Sequence, residues 1–249
     1  MTSLYPHGAM RRRIEIACRP GEARVAVEDD FHHFRITVRH LDGVATAAFA
    51  VTLRHPNAIC PQASDRLAEL VGMRLSESPA AVMQRTDARQ QCTHMIDMAG
   101  LAVAAAARGV VRRRYEAQVP DRVEKRTHAR LWRDGALALE WHIERGTITG
   151  PAPFAGREIG TGFTAWVAGS LEPELAEAAL VLRRAVFISG GRRVDLDAPG
   201  NRTGPFGGCW AWQPERADLA LRVVGSTHDF TSRPEVLTQE DAAWLAFEV

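Results

Sequence analysis

Histidine and cysteine are the side chains of this 249-residue chain best suited to moving protons, holding a metal or attacking carbon, and several of them lie close together in sequence. His32 and His33 stand in the run Asp30-Phe31-His32-His33-Phe34-Arg35, with His40 and His55 not far beyond. A neutral imidazole in a partly apolar setting is a base near pH 7, or can give one nitrogen to a metal. It can equally be a hydrogen-bonded histidine at the rim of a core. Alternation along an extended chain puts His32, His40 and His55 with Phe34, Ile36 and Val38, and puts His33 on the other face with Arg35. His32 and His33 therefore share a pocket only if a bulge intervenes. An unobstructed Arg35 would grip a carboxylate, a phenolate or a phosphate; otherwise it belongs to a solvated or salt-bridged strand face.

The second group is Cys92-Thr93-His94 with Asp97. On a continuous helix His94 and Asp97 are one turn apart and Cys92 points away, so the three converge only if the helix begins near Thr93. Cys60 and a histidine of the hairpin would complete a zinc shell with Cys92 and His94, but the interval from Cys60 to Cys92 fits no standard zinc-finger spacing, and no metal is expected. Cys92 next to His94 has the composition of an activated thiol, and also that of a small buried hydrophobe beside a structural cap. Further along, Arg113 and Tyr115 fall on one side of an extended segment, pairing a guanidinium with a phenol. Gly160-Thr161-Gly162 lacks the third glycine of a dinucleotide loop, Gly225-Ser226-Thr227 lacks the second glycine of a nucleophile elbow, and no phosphate-binding loop is present. The commonest cofactor and hydrolase signatures are thus absent.

The elements that must position these groups are readable from turns and periodicity. Asp42-Gly43 and Asp134-Gly135 each mark a two-residue type I′ hairpin. The first sets Leu41 against Val44, and simple alternation then pairs Val38 with Ala47, Ile36 with Phe49, Phe34 with Val51 and His32 with Leu53, giving one apolar face. The second sets Trp132 against Leu137, Arg130 against Leu139 and His128 against Trp141. Strands are also predicted over 12–18, 24–28 and 110–119. Helices are predicted from Pro61 to Val71, after Ser78-Pro79, over 91–108, from Pro173 to Gly190, after Pro214 and around 240–247. The stretches 146–162 and 195–208 read as Gly- and Pro-rich loops. The fold class is α+β: an antiparallel, hairpin-rich sheet packed against a helical segment, with a mixed loop and helix C-terminal portion. One domain is expected over 1–249, with its core in 10–145 and residues 146–249 extending it.

Composition narrows the function classes. Thirty-one basic against thirty acidic side chains leave a net charge of +1, which offers no strong field for nucleic acid or an anionic membrane. The start of the chain lacks an apolar secretory stretch and no run is long enough to span a bilayer, so a cytoplasmic location is expected. The cysteines are widely spaced and are expected as thiols. Homo-oligomerisation is left open.

The motifs Asp30-Phe31-His32-His33-Phe34-Arg35, Cys60-Pro61, Leu67 to Gly72, Cys92-Thr93-His94 through Asp97, the strand near Tyr115 and Asp229-Phe230-Thr231 together resemble a bacterial family known as domain of unknown function 2889 (DUF2889). The stretch from about Gly146 to Gly208 resembles its longer subtype. That resemblance implies aromatic catabolism, and specifically a cofactor-independent lyase that removes a hydroxymethyl group as formaldehyde from a lignin-derived aromatic dimer. Such a lyase needs a base for the hydroxymethyl proton, for which His32, His33 and His94 are candidates. It also needs a cation or donor for a developing phenolate, for which Tyr115, Arg35 and Arg113 are candidates, with Cys92 and Asp97 lining the site. A noncatalytic module that binds a small molecule or a partner, and a zinc- or thiol-dependent hydrolase, are the alternatives.

Overall fold

A computed structural model describes residues 8–197 and 208–248; most of the loop expected over 195–208 lies outside the described residues. Eight strands form one antiparallel sheet, β1 (Ala9–Arg19), β2 (Glu22–Asp29), β3 (His33–Leu41), β4 (Val44–Arg54), β5 (Arg112–Pro120), β6 (Arg126–Arg133), β7 (Ala136–Glu144) and β8 (Thr147–Gly150), in the order β4-β3-β2-β1-β5-β6-β7-β8. The helices are α1 (Thr93–Ala107), α2 (Phe163–Ser170), α3 (Pro173–Ile188) and α4 (Ala242–Leu245), with short 3-10 segments between, so the α+β class holds. The predicted helix from Pro61 is 3-10 in type, over Cys60–Leu70. The predicted loop 146–162 contains β8. Among the described residues no helix is long and apolar enough to cross a membrane.

The chain divides into two compact units. The first comprises Ile14–Arg113, Leu196–His228 and Thr238–Val249. Its hairpin turns as predicted: Asp42 and Gly43 both have positive φ, 51° and 74°, and Leu41 pairs with Val44. Beyond the turn the register departs from simple alternation. A shift between Arg39 and His40 pairs Val38 with Ala48, Ile36 with Ala50 and Phe34 with Thr52. An extra residue in one strand reverses the faces of everything after it. Phe34, Ile36 and Val38 are therefore fully buried over small neighbours, while Phe49, Val51 and Leu53 turn to the other face at 39%, 50% and 42% exposure. The second hairpin repeats this. Trp132 meets Leu137 as expected, then a shift at Leu131 sets Arg130 opposite Glu140 and His128 opposite His142.

β4 forms the edge of the sheet, and its backbone is capped at Ala45 and Ala50. Ser64 Oγ donates to the Ala50 carbonyl at 2.9 Å and accepts from the Ala50 amide at 2.8 Å. The Ala45 amide donates to Met73 O, and Ala45 O accepts from Gly72 N. Those bonds deny the edge to a foreign strand.

β2 is buried along its whole length because both its faces are covered. On the side of Val25, Val27, Phe34 and Ile36 lies α1, a helix that is apolar nearly all round and buried from Met98 to Ala105. On the other side Ala17 and Ala26 pack with Leu245, Trp244 and Phe247 from the C-terminus. α1 approaches the 3-10 segment Pro79–Gln84 so closely that a methyl group on Gly100 would run into the Pro79 carbonyl.

The second unit comprises Met1–Arg13, Arg114–Asp195 and Asp229–Leu237. Its core holds Trp141, Phe154 and Phe163, with ring centroids 5.1 and 5.6 Å from Trp141. Arg192, 1% exposed, binds Asp121 through two nitrogens and Asp229 through a third. These bonds fasten the returning segment at Asp229.

Because the atom facing Gly100 is backbone and not the end of a flexible side chain, Gly100→Ala is expected to destabilise the fold by about 2 kcal/mol. Urea unfolding would show a lower midpoint at unchanged slope.

Candidate functional site

The site begins with the tight turn that joins β2 to β3. Asp29, the last residue of β2, is fully buried, and its Oδ1 accepts from the amides of Phe31 (2.8 Å) and His32 (2.9 Å) and lies 3.0 Å from His32 Nδ1. The Asp29 amide in turn donates to His32 O at 2.9 Å. An aspartate that bonds the backbone two and three residues ahead closes a turn, and here the same carboxylate holds a side chain. A carboxylate oxygen can only accept, so Nδ1 of His32 carries the proton and Nε2 is the nitrogen presented for chemistry. Arg54, at the end of β4, grips the turn from its backbone side. Its guanidinium donates to the carbonyls of Asp29 (2.6 Å), Asp30 (3.1 Å) and Ser226 (3.0 Å) and to Glu28 Oε1 (3.1 Å).

The second imidazole arrives on α1. Cys92 is the extended N-cap, so the helix does begin at Thr93 and sets His94 in its first turn. The His94 ring stacks on that of His32 with centroids 3.8 Å apart and planes 28° apart, and the edge of Phe34 packs on both, at 5.4 and 6.2 Å. The paired-strand platform and the thiol-bearing helix thus meet at two histidines. Two positive charges about 4 Å apart repel by roughly 4 kcal/mol at an effective dielectric constant near 20. The stack therefore carries one charge at most, and the Asp29 carboxylate favours that charge on His32.

Nitrogens of His32 and His94 and a carboxylate oxygen of Asp29 lie within 4.8 Å of one another, close enough for a cation. The ring geometry argues for proton transfer instead. In-plane lone pairs of stacked imidazoles run side by side and do not converge on a tetrahedral point, and Oδ1 of Asp29 already accepts several bonds.

The other candidate residues are placed differently. His33 does lie on the opposite face, where Nε2 is 2.8 Å from Asp241 Oδ2 and Nδ1 is 3.6 Å from Glu28 Oε1. The expectation of an unobstructed Arg35 is corrected. It pairs with Val51, its Nε donates to Asp241 Oδ1 at 2.6 Å, its Nη2 donates to Glu240 O, and its guanidinium lies over Trp244. At Arg35 that face meets the segment around Glu240 to Trp244, and no local pattern announces a partner 206 residues away. Tyr115 belongs to the second unit, where its hydroxyl is buried and donates to Glu177; Arg113 is half-buried on the same strand. Asp97 is half-buried one turn beyond His94 on α1. His40 lines an open cleft with Arg74 and Glu77 at the turn end of the hairpin.

Neither thiol is poised as a nucleophile. Cys92 is buried, and burial pushes its thiol well above the ordinary range, with Cys209 and Cys60 adding to the shift. Burial likewise pushes Cys60 up to about 12. Asp29 is the residue that sequence reasoning missed. Its signal was present, since an aspartate followed three residues later by histidine at the end of a strand is the pattern of a side chain that closes a turn and orients an imidazole.

A family model matches residues 11–108, a span that includes most of β1, all of β2 to β4 and α1, and with them Asp29, His32, His94 and Arg54; it is described as "Protein of unknown function (DUF2889)". No curated protein and no solved structure matches the chain.

Iodoacetamide treatment of the native protein at pH 8 should leave Cys60 and Cys92 unmodified by mass spectrometry, with both labelled once urea is added. Rapid labelling of native Cys92 would contradict a buried, protonated thiol.

Proposed function

We propose that this member of the DUF2889 family, matched over residues 11–108, is a cofactor-independent carbon–carbon lyase acting by acid–base catalysis on a phenolic aromatic compound. Its substrate is a lignin-derived dimer bearing a hydroxymethyl group, which leaves as formaldehyde, and it works in the bacterial cytoplasm as one of the longer members of the family. The observation that carries this reading is the buried Asp29–His32 pair with His94 stacked on it.

The chemistry asks for two proton transfers and no electron acceptor. In a phenylcoumaran-type substrate a base takes the hydroxymethyl O–H proton. The oxygen pair becomes the C=O of formaldehyde as the carbon–carbon bond breaks. The released pair forms a C=C bond and expels the neighbouring ether oxygen as a phenolate, which takes up a proton. His32, held as an imidazolium by Asp29, is the donor to that phenolate oxygen, and a neutral imidazole of the same cluster accepts the first proton. His94 covers the face of His32, keeping water from it and fixing its plane. Phe31 and Phe34 supply aromatic edges beside the reacting histidine.

The test is a formaldehyde assay with phenylcoumaran-type and diarylpropane-type phenols. His32→Gln should lower kcat by about 100-fold to 10,000-fold. His94→Phe keeps a ring on the stack and should cost about tenfold, both with folding verified by circular dichroism. Absence of formaldehyde from every phenol would favour a noncatalytic binding module. The proximity of Asp29, His32 and His94 is the observation on the side of a metal enzyme. Dialysis against a chelator should leave the rate unchanged, whereas stoichiometric zinc whose removal abolishes turnover would decide for that alternative.

A further inference from the structure

We propose that His55, just beyond the end of β4, is the general base of this site, accepting the substrate hydroxyl proton at Nδ1 while His32 acts as the acid. This assignment rests on the acid–base reading above and adds to it a residue that the stacked pair does not contain.

The first support is register. Besides the shift at Arg39, the hairpin has a second one at its open end: Phe34 pairs with Thr52, but His33 pairs with Arg54, leaving Leu53 as the extra residue. Two single-residue shifts add to two, so the faces are restored and the strand is advanced. Continuing one step past the His33–Arg54 pair, the position across from His32 is that of His55 and not of Leu53. Arg54 accordingly reaches Glu28 on the face of His33, and His55 returns to the face of His32 and Phe34. The bulge thus exchanges an aliphatic neighbour of the reacting histidine for an imidazole.

The second support is a nitrogen left over. The backbone on both sides of His55 is tied down: Arg54 grips the 29–32 turn, and Pro56 O accepts from Val223 N and from Arg222. Between these fastenings His55 Nδ1 is buried and, among the described residues, meets no hydrogen-bond partner. A buried polar atom with no partner calls for an explanation, and a lone pair there is satisfied when a hydroxyl is brought to it.

The third support is electrostatic. His55 is held below the ordinary histidine range, by burial first and then by the charge of His32. The ionisable groups on the bordering segments include Asp29 and Asp30 in the turn, Arg54 with its partner Glu28, His94 on α1, His228, and Arg222, whose guanidinium is paired with Asp197 at 2.8 Å. One imidazole kept neutral beside another kept charged by a carboxylate is an arrangement that divides base from acid. During turnover the hydroxyl proton moves to His55 Nδ1 and the phenolate oxygen takes a proton from His32 Nε2. Water then removes the proton from His55 and returns one to His32, so the cycle closes with no net proton gained or lost.

The experiment compares wild type, His32→Gln, His55→Gln and His55→Ala in the formaldehyde assay, with melting temperature as the check on folding. The expected result is a loss of at least 100-fold in kcat for His55→Gln, and partial recovery of His55→Ala by added imidazole but not by an alkylamine that cannot occupy a ring-shaped space. If His32→Gln is inactive while His55→Gln stays within threefold of wild type, the assignment of the base is overturned and the lyase reading stands. If wild type releases no formaldehyde from any phenol, the lyase reading falls and takes the assignment with it. The histidine signals of wild-type protein, followed by NMR against pH, give a measurement that needs no variant to fold, and a His55 protonated at pH 7 would rule it out as the base.

Discussion

A single buried carboxylate organises the first unit. Asp29 closes the turn between two strands by accepting two backbone amides, and it fixes the tautomer of His32 with the same oxygen. A carboxylate out of water is expensive unless it is hydrogen-bonded, and here the donors that compensate it are those that shape the turn. The fold and the site therefore share one set of bonds. Arg54 completes the arrangement by holding the consecutive carbonyls of Asp29 and Asp30 on the far side of that turn and tying them to the carbonyl of Ser226. The stack of His94 on His32 is a consequence: a ring with a fixed plane is a surface on which a second ring can pack.

The two adjacent histidines show how alternation assigns unlike tasks to like residues. His32 faces α1 and its imidazole partner, whereas His33 faces the C-terminal segment and meets Asp241 and Glu28. That second face carries Glu22, Arg24, Glu28 and His33 in a buried layer with the half-buried Arg35 beside them, an unusual burden for a sheet. It is tolerable because nearly every charge has an opposite or a carbonyl: Arg24 meets Glu22 and Trp244 O, Arg35 meets Asp241, and the Thr238 amide donates to Glu28. Breaking such pairs costs more than forming them gains. The face that resembles a ligand floor in sequence is better understood as the docking face for the chain's own end, and its chemistry is spent on specifying where that end goes.

Local information was sufficient for the strands before 146, both Asp-Gly turns, the existence of α1 and the separation of His32 from His33, because each depends on residues within a few positions of one another. It was insufficient wherever one extra residue or one distant partner decided the outcome. The shift at Arg39 moves Phe49, Val51 and Leu53 off the face they were expected to share with Phe34 and Ile36, and nothing in that alternating run distinguishes a ladder of even step from one with an inserted residue. The partner of Arg35 lies near the end of the chain, and the partner of Tyr115 lies on α3, so both polar groups looked available when read beside their neighbours alone. Asp29 is a different case. An aspartate three residues before a histidine at the end of a strand is itself a local signal of a turn that orients the ring.

The two bulges of the first hairpin lie on β4, one near the turn and one at its open end. A hairpin of even register would place Leu53 across from His32. Two shifts in the same hairpin, at Arg39 and at His33, leave the faces of β3 and the residues beyond the second shift in agreement while changing which residue stands opposite which. Only Thr46 to Leu53 pass through the reversed interval, and they carry small residues where the sheet must admit its cover and apolar ones where it is left open. Irregular pairing near a site re-aims side chains. Here the second shift pairs His33 with Arg54, so that extending the register by one residue sets His55, and not Leu53, across from His32.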